Sequence, residues 1–206
     1  GTVKEPIKKK KSHNNIPMLL IISGGSRYSD TIQSMPISSQ WMDYFNDQMK
    51  FYGYLPDHIR CNTTVRLYPH DYKWSQFQRW RSRYPNSQID KGEKKFNSII
   101  ANTELVISGW NTTSYLESML SNVPTVLFWE PGYFEIRNDA KELFKKLKKV
   151  NILHDNPMSA SNHVKNIWGD IDSWWKHPDV ISVRNEFTDK YAFSNSVLER
   201  LCSFFK

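Results

Sequence analysis

The stretch from Leu105 to Trp129 constrains the fold most. Leu105-Val-Ile-Ser108 is a short apolar run rich in β-branched residues, and Gly109-Trp-Asn-Thr-Thr-Ser114 is a turn of mostly small, polar residues. Leu116, Met119 and Leu120 follow at helical spacing, and Pro124 opens a second apolar run that ends at Trp129. Strand, tight turn, helix and strand in so short a span make a βα unit, whose strands lie parallel because the helix carries the chain back across the sheet.

The same alternation runs along the chain. Met18-Leu-Leu-Ile-Ile22 predicts a strand broken by Ser23-Gly24-Gly25-Ser26. A helix follows Ser38 or Ser39, with Trp41, Phe45 and Met49 at four-residue spacing. Thr64–Tyr68 predicts a second strand, 74–84 a helix, and Ser87–Asp90 a short strand. Phe96, Ile99 and Ile100 mark a helix, 138–149 a basic amphipathic helix, and Ile152–His154 a short strand. Val164, Ile167, Trp168, Ile171 and Trp175 predict one helix, with one or two more closing the chain. The expected fold is α/β, a single Rossmann-like doubly wound parallel sheet with extra C-terminal helices. Residues 1–16 are read as a basic linker and 17–206 as the domain.

Charge and cysteine usage narrow the class. The first fifteen residues hold five lysines and one glutamate, +4 of the total +7, so the remainder carries an ordinary +3. The run Lys8–Lys11 reads as a solvated linker or as a patch for anionic lipid. No nucleic-acid module follows it, and no nucleic-acid partner is expected. Cys61 and Cys202 form neither a CxxC nor a Cys/His zinc spacing, no DxD-like pair lies in a suitable loop, and neither metal nor cofactor is expected. No apolar run reaches the ~18–20 residues of a membrane span. The chain begins Gly-Thr, as expected of a segment cut from a longer parent.

Ligands of doubly wound sheets bind beyond the carboxyl ends of the strands. That rule selects three segments: 23–27 with Gly24, Gly25 and Ser26, 69–73 after the second strand, and 109–114 with Gly109, Asn111, Thr112, Thr113 and Ser114; the loop 129–137 is a fourth candidate. Exposed amides and hydroxyls at the start of the helix after Asn111 suit a phosphate. Glu117, one turn in, has two readings: it accepts ribose hydroxyls, or it closes a capping box with Ser114. Arg66 and His70 at the second strand's end would neutralise a phosphate and donate to it; the alternatives are a surface salt bridge for Arg66 and a helix start for His70. Trp110 and Trp129 adjoin predicted ligand turns, where either would stack on a base or sugar. Asp71 and Asp155 are the main carboxylate candidates near strand ends. His58, His154 and His163 are read as packing or surface residues.

The strand–Gly/Thr–helix–Pro-Thr pattern resembles the C-terminal domain of GT-B glycosyltransferases, where this turn grips the donor nucleotide. Ser26-Arg-Tyr-Ser29, Pro36-Ile-Ser-Ser-Gln-Trp41, Val65-Arg-Leu-Tyr-Pro-His-Asp-Tyr72, Thr112-Thr-Ser-Tyr-Leu-Glu117, Pro124–Trp129 and His154-Asp155 extend the likeness over roughly residues 18–192. Over that span the chain resembles the C-terminal part of a bacterial family of longer transferases associated with O-antigen and surface-carbohydrate gene clusters. Pro69-His70 is similar to the His-Pro element of enzymes using cytidine-activated donors, with the order reversed.

The resemblance implies a donor-binding domain. It would hold a nucleotide sugar, cytidine first and uridine second, and the complete enzyme would pass the sugar to a glycan or lipid-linked glycan held mainly by an N-terminal domain. It implies a cytoplasmic setting, with the parent at the inner face of the membrane, and no catalytic base in this chain, which alone would be inactive. A sugar-nucleotide epimerase and a non-catalytic scaffold share the fold and are the alternatives.

Overall fold

The computed structural model describes residues 15–28, 36 and 38–192. Six strands form one parallel sheet: β1 (Ile16–Ile21), β2 (Thr63–Arg66), β3 (Gln88–Asp90), β4 (Thr103–Ser108), β5 (Thr125–Phe128) and β6 (Leu153–His154). Their order across the sheet is β3-β2-β1-β4-β5-β6, every neighbouring pair parallel. The fold is therefore the Rossmann-like α/β arrangement expected, with short edge strands of three and two residues.

Helices join the strands: α1 (Ser39–Tyr54) and α2 (Asp57–Arg60) before β2, α3 (Gln76–Arg83) before β3, α4 (Phe96–Ile100) before β4, α5 (Thr113–Leu120) before β5, and α6 (Asn138–Lys149) before β6. The chain then runs through α7 (Pro157–Ile167), α8 (Ile171–Trp175) and α9 (Pro178–Tyr191). The single helix expected across 164–175 is two. After Ile167 the chain breaks at Gly169, and Asp170 caps a new helix by accepting from Ser173 N at 3.0 Å. The apolar spacing survives because both helices bury residues against the same core.

The two faces of the sheet bury different sets, as the period of two requires. Met18, Leu20 and Ile22 pack into a large cluster with Trp41, Phe45 and Phe128. Leu19 and Ile21 pack into a smaller one with Ile99, Ile100, Val106 and Val123. The asymmetry follows from helix length: α4 has five residues, whereas α1 has sixteen. Beyond α4, no helix among the described residues covers the face of β2 and β3, where a trough of about 830 Å³ runs along Asn15, Thr64, Gln88 and Asp90. Among the described residues, no helix is long and apolar enough to cross a membrane.

Candidate functional site

The chain leaves β1 toward β2 on one side and returns to β4 on the other. Between β1 and β4 the connections diverge, which opens a crevice at the carboxyl edge. A cleft of about 340 Å³ lies there. It is lined by the end of β1 (Ile21 to Ser23), the end of β2 (Arg66 to Pro69), Phe96, and the start of α5 (Thr112 to Ser114). The trough is larger, but apart from Lys91, Glu93 and Lys94 after β3 its lining comes from strand faces and the amino-terminal side of the sheet, and it includes none of the turn 109–114.

The start of α5 is built to present amides. Thr112 is extended at φ −130°, and its own side chain makes no cap bond to the helix it begins. The first amides of α5 have no partner within the helix, and their dipoles add at this end. The hydroxyls of Thr112 and Ser114 lie 2.9 Å apart, and Ser114 O accepts from Ser118 Oγ at 2.9 Å. The capping box read from Ser114 and Glu117 does not form. The helix begins at Thr113, so Ser114 is already inside it and Glu117 lies in its second turn.

Arg66 is the one charged side chain lining this cleft among the described residues. Parallel register sets Arg66 beside Asp90 of β3. Its Nη1 donates to Asp90 Oδ2 and its Nη2 to Lys94 O at 2.8 Å. Asp90 Oδ1 in turn accepts from Gly92 N at 3.1 Å. The Arg66 side chain is 11% exposed and held by both bonds, so it is fixed in the cleft wall rather than free to swing. The ion pair offered as its alternative role exists, but at the cleft wall and not out on the surface.

The cleft thus gathers Arg66, Thr112, Thr113 and Ser114 with Ser23 and Pro69 of the selected segments, and adds Tyr68 and Phe96, which were not among the ligand candidates. The other expected residues lie around it. A Cβ on Gly24 would meet the Tyr68 ring at 2.5 Å, so this glycine lets the loop after β2 close over the end of β1. Gly25 O accepts from Trp74 Nε1 at 2.8 Å, and exposed Ser26 donates to Tyr28 O at 3.0 Å. A Cβ on Gly109 would overlap the buried Gln48 amide. Asn111 accepts from Tyr115 OH at 2.9 Å. His70 is exposed, packs edge-on against Tyr72 with ring centres 4.4 Å apart, and does not line the cleft.

Both tryptophans expected to stack on a ligand are packing residues. Trp110 sits edge-on to Tyr44 at 4.7 Å and to Phe134 at 5.5 Å, and Trp129 is edge-on to Phe134 at 5.4 Å. Both are almost fully buried, and their rings belong to the large core cluster. Asp71 accepts from Ser75 N and Gln76 N, both at 2.8 Å, and so holds the start of α3. Asp155 pairs with Lys148. His58 is exposed, whereas His154 and His163 are packed against each other, ring centres 5.3 Å apart. Cys61 is exposed and Cys202 lies outside the described residues. Among the described residues, no group of three or more His, Cys, Asp or Glu side chains is placed to hold a metal ion.

These features define a Rossmann-like α/β domain with a helix start and a fixed arginine at the switch point of its sheet. Residues 2–203 match the LIC12162 family transferase, and the chain belongs to that family. No curated protein matches it.

Proposed function

We propose that this domain binds the nucleotide-sugar donor of a glycosyltransferase that builds a bacterial surface glycan. One observation supports this most: the first α5 amides, three hydroxyl side chains and Arg66 share one cleft at the sheet's switch point. Helix-start amides and a guanidinium suit phosphate oxygens, and the hydroxyls add directional bonds. A cytidine nucleotide is the first donor proposed and a uridine nucleotide the second.

The chemistry assigned to these residues is stabilisation of the leaving group. An acceptor hydroxyl attacks the anomeric carbon, the bond to the phosphate oxygen breaks, and its electron pair leaves with the nucleotide. Charge builds on that phosphate, where preorganised donors are most effective. The acceptor and the base that takes its proton are assigned to another domain. Thermal shift with CMP, CDP, UDP and GDP tests the donor reading, because a ligand raises Tm only by preferring the folded state. The largest rise is expected with a cytidine nucleotide. No rise with any of the four at millimolar concentration rejects the reading.

A further inference from the structure

A second cleft of about 320 Å³ opens on the same carboxyl edge, where α6 passes the ends of β5 and β6. Its floor and walls are apolar, with Ile136 and Phe144 half-buried beside the edges of Trp129 and Phe134. Its polar side chains are Lys141, Lys145, Lys148 and Asp155. The three lysines are four and three residues apart, so they stand on one face of α6 as a row of ammonium groups.

We infer that this cleft seats a single-chain anionic amphiphile, a phosphate carried on an isoprenoid or alkyl chain. The lining separates the two chemistries such a molecule needs. The apolar floor takes a chain that asks for no hydrogen bonds, and the lysine row takes the phosphate. A nucleobase fits poorly, because its edge requires donors and acceptors that this floor lacks. Lys145 is held by Glu142 at 2.7 Å and Lys148 by Asp155, both in solvent-exposed pairs. Exposed pairs are weak, so a doubly charged phosphate can take the ammonium groups over. The volume is near the lower limit of about 300–1,000 Å³ for ligand pockets and suits the headgroup end of the chain. The inference goes beyond the donor reading and uses none of its residues.

Titration calorimetry on the full chain, below the micelle threshold of each amphiphile, tests it with farnesyl phosphate, farnesol and inorganic phosphate. Farnesyl phosphate is expected to bind saturably at one site, with farnesol and inorganic phosphate each at least tenfold weaker. K141Q/K145Q/K148Q should lower farnesyl phosphate affinity at least tenfold without lowering Tm, and Ile136→Asp should abolish binding. K141E alone repeats the charge test with a single change. Equal binding of farnesol, or binding unchanged by the lysine substitutions, overturns the site. Adsorption only to anionic phospholipid vesicles means a bilayer contact and also overturns it. Displacement of farnesyl phosphate by CMP or UDP makes the cleft a nucleotide seat and does the same. Nucleotide binding by the triple variant should match the unsubstituted chain, so the two readings fail separately.

Discussion

At the residue scale, Arg66 and His70 divide in a way the sequence does not reveal. They sit four positions apart on one strand end, yet Arg66 is locked into the cleft wall by Asp90 and Lys94, while His70 is exposed beside Tyr72. Arg66→Ala is expected to weaken nucleotide binding by about 1–3 kcal/mol, the range for hydrogen bonds to charged groups. It should also lower stability, because Asp90 keeps its charge in a partly buried place without its partner. His70→Ala should change stability by no more than about 0.5 kcal/mol, as for other surface substitutions. Calorimetry and urea denaturation of both variants check this. An Arg66→Ala chain that binds nucleotide normally removes Arg66 from the donor site. Gly109 supplies a packing counterpart. Gly109→Ala should cost about 1–3 kcal/mol through overlap with Gln48, and Gln48→Ala in the same chain should restore part of the loss.

At the scale of elements, β1, β4 and β5 are legible as short apolar runs followed by Gly or Pro within a few residues, whereas the edge strand β3, Gln-Ile-Asp, gives a weaker signal. Helices were legible where one face is apolar, as in α1 and α6. The break between α7 and α8 was hidden, since Ile167 and Ile171 keep helical spacing across Gly169. The site was legible only in part. The turn 109–114 announces itself through small hydroxylated residues after a strand. Phe96 reaches the cleft from the start of α4, and Asp90 meets Arg66 from β3 through parallel register; no local pattern marks either meeting. Asp71 was read as a chemical candidate, but both its oxygens hold the start of α3. The N-cap of that helix is Ser75, whose φ of 54° and lack of a side-chain cap bond leave the work to Asp71. Asp71→Ala should therefore cost about 0.5–2 kcal/mol, as for loss of a helix cap. Chemical denaturation should show the loss, and an unchanged midpoint would mean that α3 is held by packing alone.

At the scale of the whole molecule, pH acts through the histidine pair beneath β6. Burial pushes both His154 and His163 down, His163 to about 4, with its neighbour His154 adding to the effect. His154 bonds Ser159 Oγ at 2.8 Å and Asn151 O at 3.1 Å, whereas His163 Nε2 is buried without a hydrogen-bond partner. Both are neutral when folded and take up protons on unfolding between their folded pKa and the ordinary value near 6.5. In that window the unfolded chain binds more protons, so stability is full above about 6.5 and falls with pH toward 4. His163 should contribute a loss on the order of 2 kcal/mol, reduced from its full shift because the ring is partly exposed. Urea midpoints from pH 7.5 to 4.5 should fall in the native chain and flatten in His163→Phe. An equal slope in both would place the acid sensitivity elsewhere.

The neighbour relation between β1 and β4 also carries a kinetic consequence. Leu20 pairs with Ile107, 87 positions along the chain, whereas Val106 meets Thr125 after only 19. Bringing distant segments together must precede the contacts that reward it, so long-separation pairings slow folding. The β4–β5 half is expected to acquire structure first and β1 to dock onto it afterwards. The crevice would then come into being with the last docking event, and a chain still folding would have nowhere to hold a nucleotide. Pulse-labelled hydrogen exchange during refolding tests the sequence of events. Amides of β5 should gain protection before those of β1, and simultaneous protection would mean that the sheet condenses as one unit.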